Sequence, residues 1–423
     1  MSDIKPRIAI LGGGIHGTAI AALFAQSSCC EVILFERGSI ASGITSTNHG
    51  RLHVGTRIWR SRNDTVAWRR RLGAELVRQL PGVVREQQKG LCLIEAAEDV
   101  EPFENVCQRW LISCKRIGLS ALNANWVRGS QFAAIHEVPE YSFNPARLAG
   151  SLAAYARSLG AEILTGSPVQ VLEAGDSGKF LICLSNEDTF ETDFIVNALG
   201  NWANQFRSEL PLPQLNLQWH RRRLLCLFVP STFSNLDLNR VITIFDKDNQ
   251  VPGAIPHNPW IVFGSDVNIE SLQAPDDGDI EKWQTFDKNR SMDHLLFELH
   301  ARYFLPLQSL EAQEISQRLF SFSGVYPQLD GHKVSDFQIH QSDKVPHYYL
   351  ISGGNATTAL LDARDLVEVV LKELDLPQKW TTDQTMQLIK SLLIGFRQEE
   401  YPDSVGMIWE NRTIDQVAAL EAR

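Results

Sequence analysis

Gly12, Gly14 and Gly17 stand at Gly-x-Gly-x-x-Gly spacing, with Ile15 and His16 before the last of them, and Glu36 follows 22 residues beyond Gly14. Glycines so spaced let a chain turn tightly at Gly12, approach a pyrophosphate at Gly14 and bring a helix against a strand at Gly17. Amides at the start of that helix face phosphate oxygens, and a carboxylate such as Glu36 takes ribose hydroxyls. The chemistry these residues serve is dinucleotide binding. That pattern needs its surroundings, and they are present: residues 7–11 read as the entering strand, 18–26 as an Ala-rich helix, and 31–35 as a second strand that delivers Glu36.

The chain has 423 residues and a net charge of -10. Its length suits about two or three domain-sized units, and its acidity opposes nucleic acid as a partner, because a phosphate backbone selects basic surfaces. No apolar run reaches the roughly 18 to 20 residues of a membrane span, and residues 1–6 are polar, so the expected location is the cytoplasm. The seven cysteines form no Cys-x-x-Cys pair and include the adjacent Cys29 and Cys30. Reduced thiols are expected, and no metal site.

The elements that must position the site follow from periodicity. Helices are predicted over residues 66–85, 100–117, 145–159, 281–304 and 357–374. Strands are predicted over 90–94, 162–164, 169–173, 180–184, 194–199, 224–229, 241–245, 261–263 and 348–352. The buried run at 194–199 reads as a parallel strand returning to the first sheet. The expected fold is α/β, with a Rossmann-like nucleotide-binding domain in three pieces, 1–75, 145–215 and 320–375. It is interleaved with a mainly antiparallel substrate domain, 76–144 and 216–319, and followed by a helical tail, 376–423. A nicotinamide dehydrogenase completes its nucleotide fold in one block, so interleaving favours a flavin enzyme.

Three further segments carry a resemblance. Residues 40–55, containing Asn48, His49, Gly50, His53 and Gly55, resemble a loop that crosses from pyrophosphate to flavin ring. Residues 193–202 are similar to a strand and glycine beside the cofactor, and 351–358 to a closing loop and helix start below the flavin. Together with the glycine turn, these segments resemble the FAD-dependent oxidoreductases of the D-amino-acid oxidase superfamily. The closest motifs are those of glycerol-3-phosphate and L-2-hydroxyglutarate dehydrogenases. The resemblance spans roughly residues 5–375 and implies FAD as cofactor. By it, the cofactor is held by Gly12, Gly14, Ile15, His16, Gly17, Glu36, Arg37, Ser42, Thr45, Ser46, Val169, Ala198, Gly200, Trp202, Gly353, Gly354, Asn355, Ala356, Thr357 and Thr358. Val169 is expected to hold adenine through its backbone, and the helix near Thr357 to aim its positive end at the ring where charge develops on reduction. Simple N-capping by Thr357 or Thr358 is the plainer alternative there.

A flavin oxidises a C-H bond beside O or N by accepting hydride, so a protein base must take the heteroatom's proton. His53 suits that task, and equally suits a hydrogen bond to the flavin or to a loop carbonyl. Arg57 keeps the His-x-Gly-x-Arg spacing of glycerol-3-phosphate dehydrogenases and is the first candidate for an anionic substrate, with Arg51 second. Arg60 and Arg62 read as solvated surface, and so does most of the run Arg221, Arg222 and Arg223. Tyr326 stands where those relatives place a substrate arginine, and Asn355 replaces their lysine, which puts a phosphorylated substrate in doubt. Tyr326 would bind one carboxylate oxygen or stack on an apolar group.

No cysteine follows Cys226, so FAD is expected to be non-covalent, with a link through His49 as the lesser alternative. The leading expectation is hydride transfer from a small hydroxyacid or amino acid. A secondary-amine oxidase and an FAD-binding protein without redox turnover are the alternatives. The electron acceptor is oxygen or a quinone. The tail residues Met386, Leu388, Ile389, Leu392, Leu393 and Ile394 suit packing on the domain, or peripheral membrane contact.

Overall fold

The computed structural model describes residues 5–85, 88–118, 122, 126–127, 129–175, 178–229, 238–265, 269–272, 290–310, 318–329, 337–374, 382–396, 401–408 and 410. A six-stranded sheet runs in the order Gln338–Ser342, Val345–Ser352, Phe194–Asn197, Arg7–Leu11, Glu31–Phe35 and Glu162–Leu164. All its pairings are parallel except that of the edge strand Gln338–Ser342. Ile8, Ala9, Ile10 and Leu11 are fully buried, as expected for a strand covered on both faces.

The helix Ile15–Ser27 is buried continuously from Gly17 to Ala25. It lies between the sheet and the helices Pro145–Ser158 and Ala359–Glu373. Its apolar residues therefore ring the helix instead of forming one stripe. Asn144 caps Pro145–Ser158 by accepting from the Arg147 amide, and proline occupies its first turn, as the sequence suggests.

The larger, nine-stranded sheet has one continuous path: Ile269–Leu272, Leu217–Phe228, Trp260–Gly264, Gly253–His257, Ile242–Phe245, Gly90–Ile94, Ala134–Val138 and Lys115–Ile117. It is antiparallel except where Ile242–Phe245 joins Gly90–Ile94. A smaller antiparallel group, Thr189–Thr192, Phe180–Leu184 and Val169–Ala174, carries Arg207–Ser208 on its edge.

Two expectations are corrected. Residues 100–117 are not one helix: Val100–Arg109 is helical and Lys115–Ile117 is an edge strand. Leu111 enters the left-handed region at φ 54°. The Leu111 amide then bonds Gln108 O and the Ile112 amide bonds Cys107 O, the double hydrogen bond that closes a helix. A leucine there gives no glycine signal. Leu319–Leu329, expected with the nucleotide-binding pieces, pairs along its length with Leu217–Phe228 in the larger sheet. The helix expected over 281–304 is present as Arg290–Ala301, and residues 281–289 lie outside the described residues.

In the tail, Thr382–Gly395 packs on Ile15–Ser27 and Ala359–Glu373. Ile389 and Leu392 are buried, whereas Ile394 is exposed. The side chains of Met386, Leu388 and Leu393 lie outside the described residues. Beyond this helix, Ile40 bonds the chain at Asp403 and Val405, and Ser46 O accepts from the Ile408 amide. Among the described residues no helix is long and apolar enough to cross a membrane.

A Cβ on Gly17 would lie 1.9 Å from the Gly12 carbonyl oxygen, whereas one on Gly14 would first meet Thr45 Oγ1 at 3.4 Å. Gly17→Ala is expected to cost about 3 kcal/mol or to abolish folding, and Gly14→Ala to change stability by less than about 1 kcal/mol. Urea unfolding of the two variants checks the difference.

Candidate functional site

The glycine turn lies at the C-terminal end of Arg7–Leu11, the edge at which parallel sheets bind ligands. Gly12 has φ 108°, and a Cβ there would lie 2.6 Å from Ala198 O. Glu36 leaves the neighbouring strand and accepts from the Gly13 amide at 2.7 Å and the Gly38 amide at 2.8 Å. Its carboxylate is thus aimed by the turn itself, with lone pairs left for ribose hydroxyls. Thr45 Oγ1 accepts from the Ile15 amide at 3.1 Å, which ties the crossing loop to the helix start. Ser46 donates to Gly43 O, Ser42 is exposed beside Gly38, and the Arg37 guanidinium lies 4.2 Å over the Trp202 ring. Gly200 has φ 58° with open space about it. Val169 is close in the fold, since the Ser167 amide bonds Glu36 O.

The closing segment comes to the same crevice at the end of Val345–Ser352. Gly353 and Gly354 have φ 67° and 86°, and a Cβ on Gly354 would lie 2.6 Å from His16 Nε2. Asn355 Oδ1 accepts from the Thr357 amide, and Asn355 O from the Thr358 amide, which folds 355–358 into a turn that includes Ala356. Simple capping does not hold: Thr358 occupies the cap position of Ala359–Glu373 without a capping side-chain bond. Its Oγ1 instead donates to Asp362 Oδ2 at 2.7 Å. Asp362 is fully buried and also takes Arg69 Nη2 at 2.7 Å and His16 Nε2 at 3.0 Å. Sequence reasoning missed Asp362 and Arg69; an acid in a helix's first turn looks like ordinary dipole compensation.

Between this crevice and the larger sheet lies a pair of imidazoles. His49 Nε2 and His53 Nε2 are 3.2 Å apart, and both residues are buried. The His53 amide donates to Thr357 Oγ1 at 3.1 Å, and His257 Nε2 donates to His49 O at 3.0 Å. His53 Nδ1 is buried without a hydrogen-bond partner. Burial first, then neighbouring arginines, hold both imidazoles well below the ordinary histidine value: Arg222, Arg57 and Arg51 act on His49, and Arg51, Arg70 and Arg57 on His53.

The arginines divide differently from expectation. Arg51 is not an anion receptor in waiting: it is buried in an ion pair with Glu140, which also accepts from Thr56 Oγ1. Arg57 is half-buried on the turn Thr56–Ser61, and its Nη2 donates to Val251 O at 3.4 Å. It borders a cavity of about 210 Å³ with Trp59, Phe245, Asn249 and Val251, a space that neither imidazole lines. Arg60 is paired with Asp99 and is not simply solvated, whereas Arg62 is exposed. Arg222, expected at the surface with its neighbours, is half-buried, donates to Ser265 O and is the foremost cation acting on His49. Strand alternation explains how one member of the run turns inward. The side chains of Arg221, Arg223 and Tyr326 lie outside the described residues; Tyr326 pairs with His220 in the larger sheet.

A glycine turn and strand-end acid at the C-terminal edge of a parallel sheet define a dinucleotide-binding protein. The chain belongs to the family described as FAD dependent oxidoreductase, which matches residues 7–368. Among curated proteins it is similar to the A1 chain of anaerobic glycerol-3-phosphate dehydrogenase from Haloferax volcanii, with 26% identity over 66% of this chain and 49% of that protein. It is also similar to an anaerobic glycerol-3-phosphate dehydrogenase component from Escherichia coli K12, with 27% identity over 58% of this chain and 46% of that protein. The chain therefore spans about half the length of these relatives. Among solved structures, L-alpha-glycerophosphate oxidase from Mycoplasma pneumoniae with FAD bound shares the fold, at TM-score 0.67, 19% identity, and coverage of 86% of this chain and 94% of that one. Glycine oxidase from Geobacillus kaustophilus does so at TM-score 0.63, 18% identity, and coverage of 89% and 100%. The residues fit the cofactor: glycines clear the backbone at Gly12 and Gly200, Glu36 is preset, and His53 Nδ1 faces no protein partner.

Four histidines, His49, His53, His257 and His300, have lowered proton affinity in the folded chain, with desolvation the largest cause in each. The unfolded chain binds more protons than the folded one between the ordinary value of 6.5 and the lowered values, about 4 for His257. Stability therefore rises with pH across that window and is lost as pH falls through it, each histidine adding up to about 1.4 kcal/mol per pH unit. Thermal unfolding from pH 7 to 5 is expected to give a falling midpoint, with a shallower slope in His257→Gln.

Proposed function

We propose that this chain oxidises a small carboxylate substrate at a C-H bond next to a hydroxyl or amino group. The buried imidazole pair, with His53 Nδ1 unpartnered and arginines around it, carries this reading. FAD, when bound, supplies the oxidising power by accepting hydride. Glu36 takes its ribose, the glycine turn and helix start at Gly14 to Gly17, with the loop residues Thr45 and Ser46 beside them, face the diphosphate, and Gly353 to Thr358 cradle the ring. Binding is non-covalent on this reading, with no cysteine after Cys226 and His49 Nε2 in contact with His53. The three nucleotide-binding pieces serve FAD, and the second domain, extended to include Leu319–Leu329, covers the substrate.

His53 takes the heteroatom's proton. Its neutral ring is available as a base at pH 7, and the anchored amide fixes its position. Arg57, which borders a separate cavity but whose charge acts on both imidazoles, is the candidate for the substrate's carboxylate, with Tyr326 as the second candidate on the larger sheet. With tyrosine and asparagine at 326 and 355, the chain lacks two cations expected for a phosphate, which favours a carboxylate. Names among the similar proteins include both glycerol 3-phosphate and amino acid enzymes, so hydroxyacids and amino acids both belong in the test, with oxygen or a quinone as acceptor and the cytoplasm as location.

Anaerobic addition of hydroxyacids, amino acids, secondary amines and glycerol 3-phosphate to the flavin-loaded protein tests the reading. One of the first two classes is expected to bleach the visible flavin band. His53→Asn is expected to slow that bleaching by about 10² to 10⁴ while retaining flavin. Bleaching by secondary amines alone would move the reaction to that class, and an unchanged rate in His53→Asn would remove its role as base.

A further inference from the structure

The 3.2 Å contact between His49 Nε2 and His53 Nε2 can hold one hydrogen. Two bare lone pairs, or two N–H groups, would leave polar atoms unsatisfied in a buried place at about 1–3 kcal/mol. The rings therefore carry complementary tautomers. When His53 Nε2 holds the shared hydrogen, its Nδ1 is a lone pair, and that Nδ1 meets no protein partner. The pair is also fixed from outside: Thr357 Oγ1 takes the His53 amide and His257 donates to His49 O.

The charges facing the pair come from several elements. Arg51 and Arg57 lie on its own segment, Arg70 on the helix Asp64–Val77, Arg222 on Leu217–Phe228, and His257 on Gly253–His257. Arg51 is itself paired with Glu140. A proton left on His53 would put a full charge on the ring that faces the substrate. Passing it on moves that charge one ring away from the reacting carbon, although His49 itself faces Arg222, Arg57 and Arg51.

We infer that His49 is the second half of a proton relay: as the substrate's hydroxyl or amino proton moves to His53 Nδ1, the hydrogen on His53 Nε2 passes to His49 Nε2. The substrate O–H or N–H bond breaks as Nδ1–H forms, and Nε2–H of His53 breaks as Nε2–H of His49 forms. No electrons change hands between the rings; the oxidant is the bound flavin. His53 begins and ends uncharged, with its tautomer exchanged, and the positive charge appears on His49. His49 acts only through His53, so it is a positioning and proton-accepting residue. This inference rests on the reading that His53 faces the reacting carbon.

Two measurements on the flavin-loaded protein test it. Nitrogen NMR of ¹⁵N-histidine-labelled protein is expected to show coupling across the Nε2–Nε2 hydrogen bond without any substrate. With the compound that bleaches the flavin, the reduction rate is expected to depend on deuterium fraction in a bowed curve, as for two hydrogens moving together. In His49→Asn and His49→Phe the rate is expected to fall about tenfold to hundredfold and the curve to become linear. Imidazole added to His49→Ala is expected to restore the rate. An absent coupling, a linear wild-type curve, or a bow retained in both variants would overturn the relay. If no compound reduces the flavin, the oxidation reading fails and the relay with it, while the coupling still reports whether the pair itself is intact.

Discussion

Arg51 and Glu140 are held out of water together where the crossing loop meets the larger sheet. A buried ion pair is costly unless its remaining groups are hydrogen-bonded; here Thr56 supplies one such bond to Glu140, while Arg51 Nε and Nη1 meet none among the described residues. The pair holds the loop beside the short strand Tyr141–Ser142, with which Arg51–Leu52 forms an antiparallel ladder. Two residues further on, the His53 amide is tied to Thr357. The end of the loop is thus fastened both beside the larger sheet, through Glu140, and to the segment 353–358, through Thr357. Removing either partner of the ion pair is expected to leave a buried charge and to loosen the segment that carries His49 and His53.

The same loop separates two electrostatic jobs. At its start, Thr45 and the glycine turn present hydroxyls and amides suited to a diphosphate. At its end, the imidazoles stay neutral because burial and nearby guanidinium groups oppose their charging. An anionic substrate entering such a place meets positive charge, and its arrival makes a proton on the histidines less costly. On the function proposed, binding and proton acceptance would be coupled through Arg57 and Arg222, whose charges act on His49.

Much of the nucleotide end was legible in the sequence because it is local: the glycine spacing, the strand before it, the helix after it and Glu36 lie within one βαβ unit. Residues whose role depends on distant partners were not. Asp362 joins His16 across 346 positions, and Glu140 joins Arg51 across 89. Neither carries a spacing signal, and Arg222 was hidden in a run of three like charges whose directions only the strand decides. The helix end at Leu111 was lost because a leucine in the left-handed region imitates helix continuation. Leu319–Leu329 was misplaced because its pairing partner lies about a hundred residues earlier, where apolar alternation cannot specify which sheet receives it.

Amide hydrogen exchange of the protein stripped of flavin, compared with the same protein after FAD is added back, tests the central arrangement most directly. Binding in the described crevice is expected to protect amides at 12–17, 36–46 and 353–358, with little change in the strand Gly90–Ile94 of the larger sheet. Protection confined to other segments, or none at 12–17 and 353–358, would contradict it.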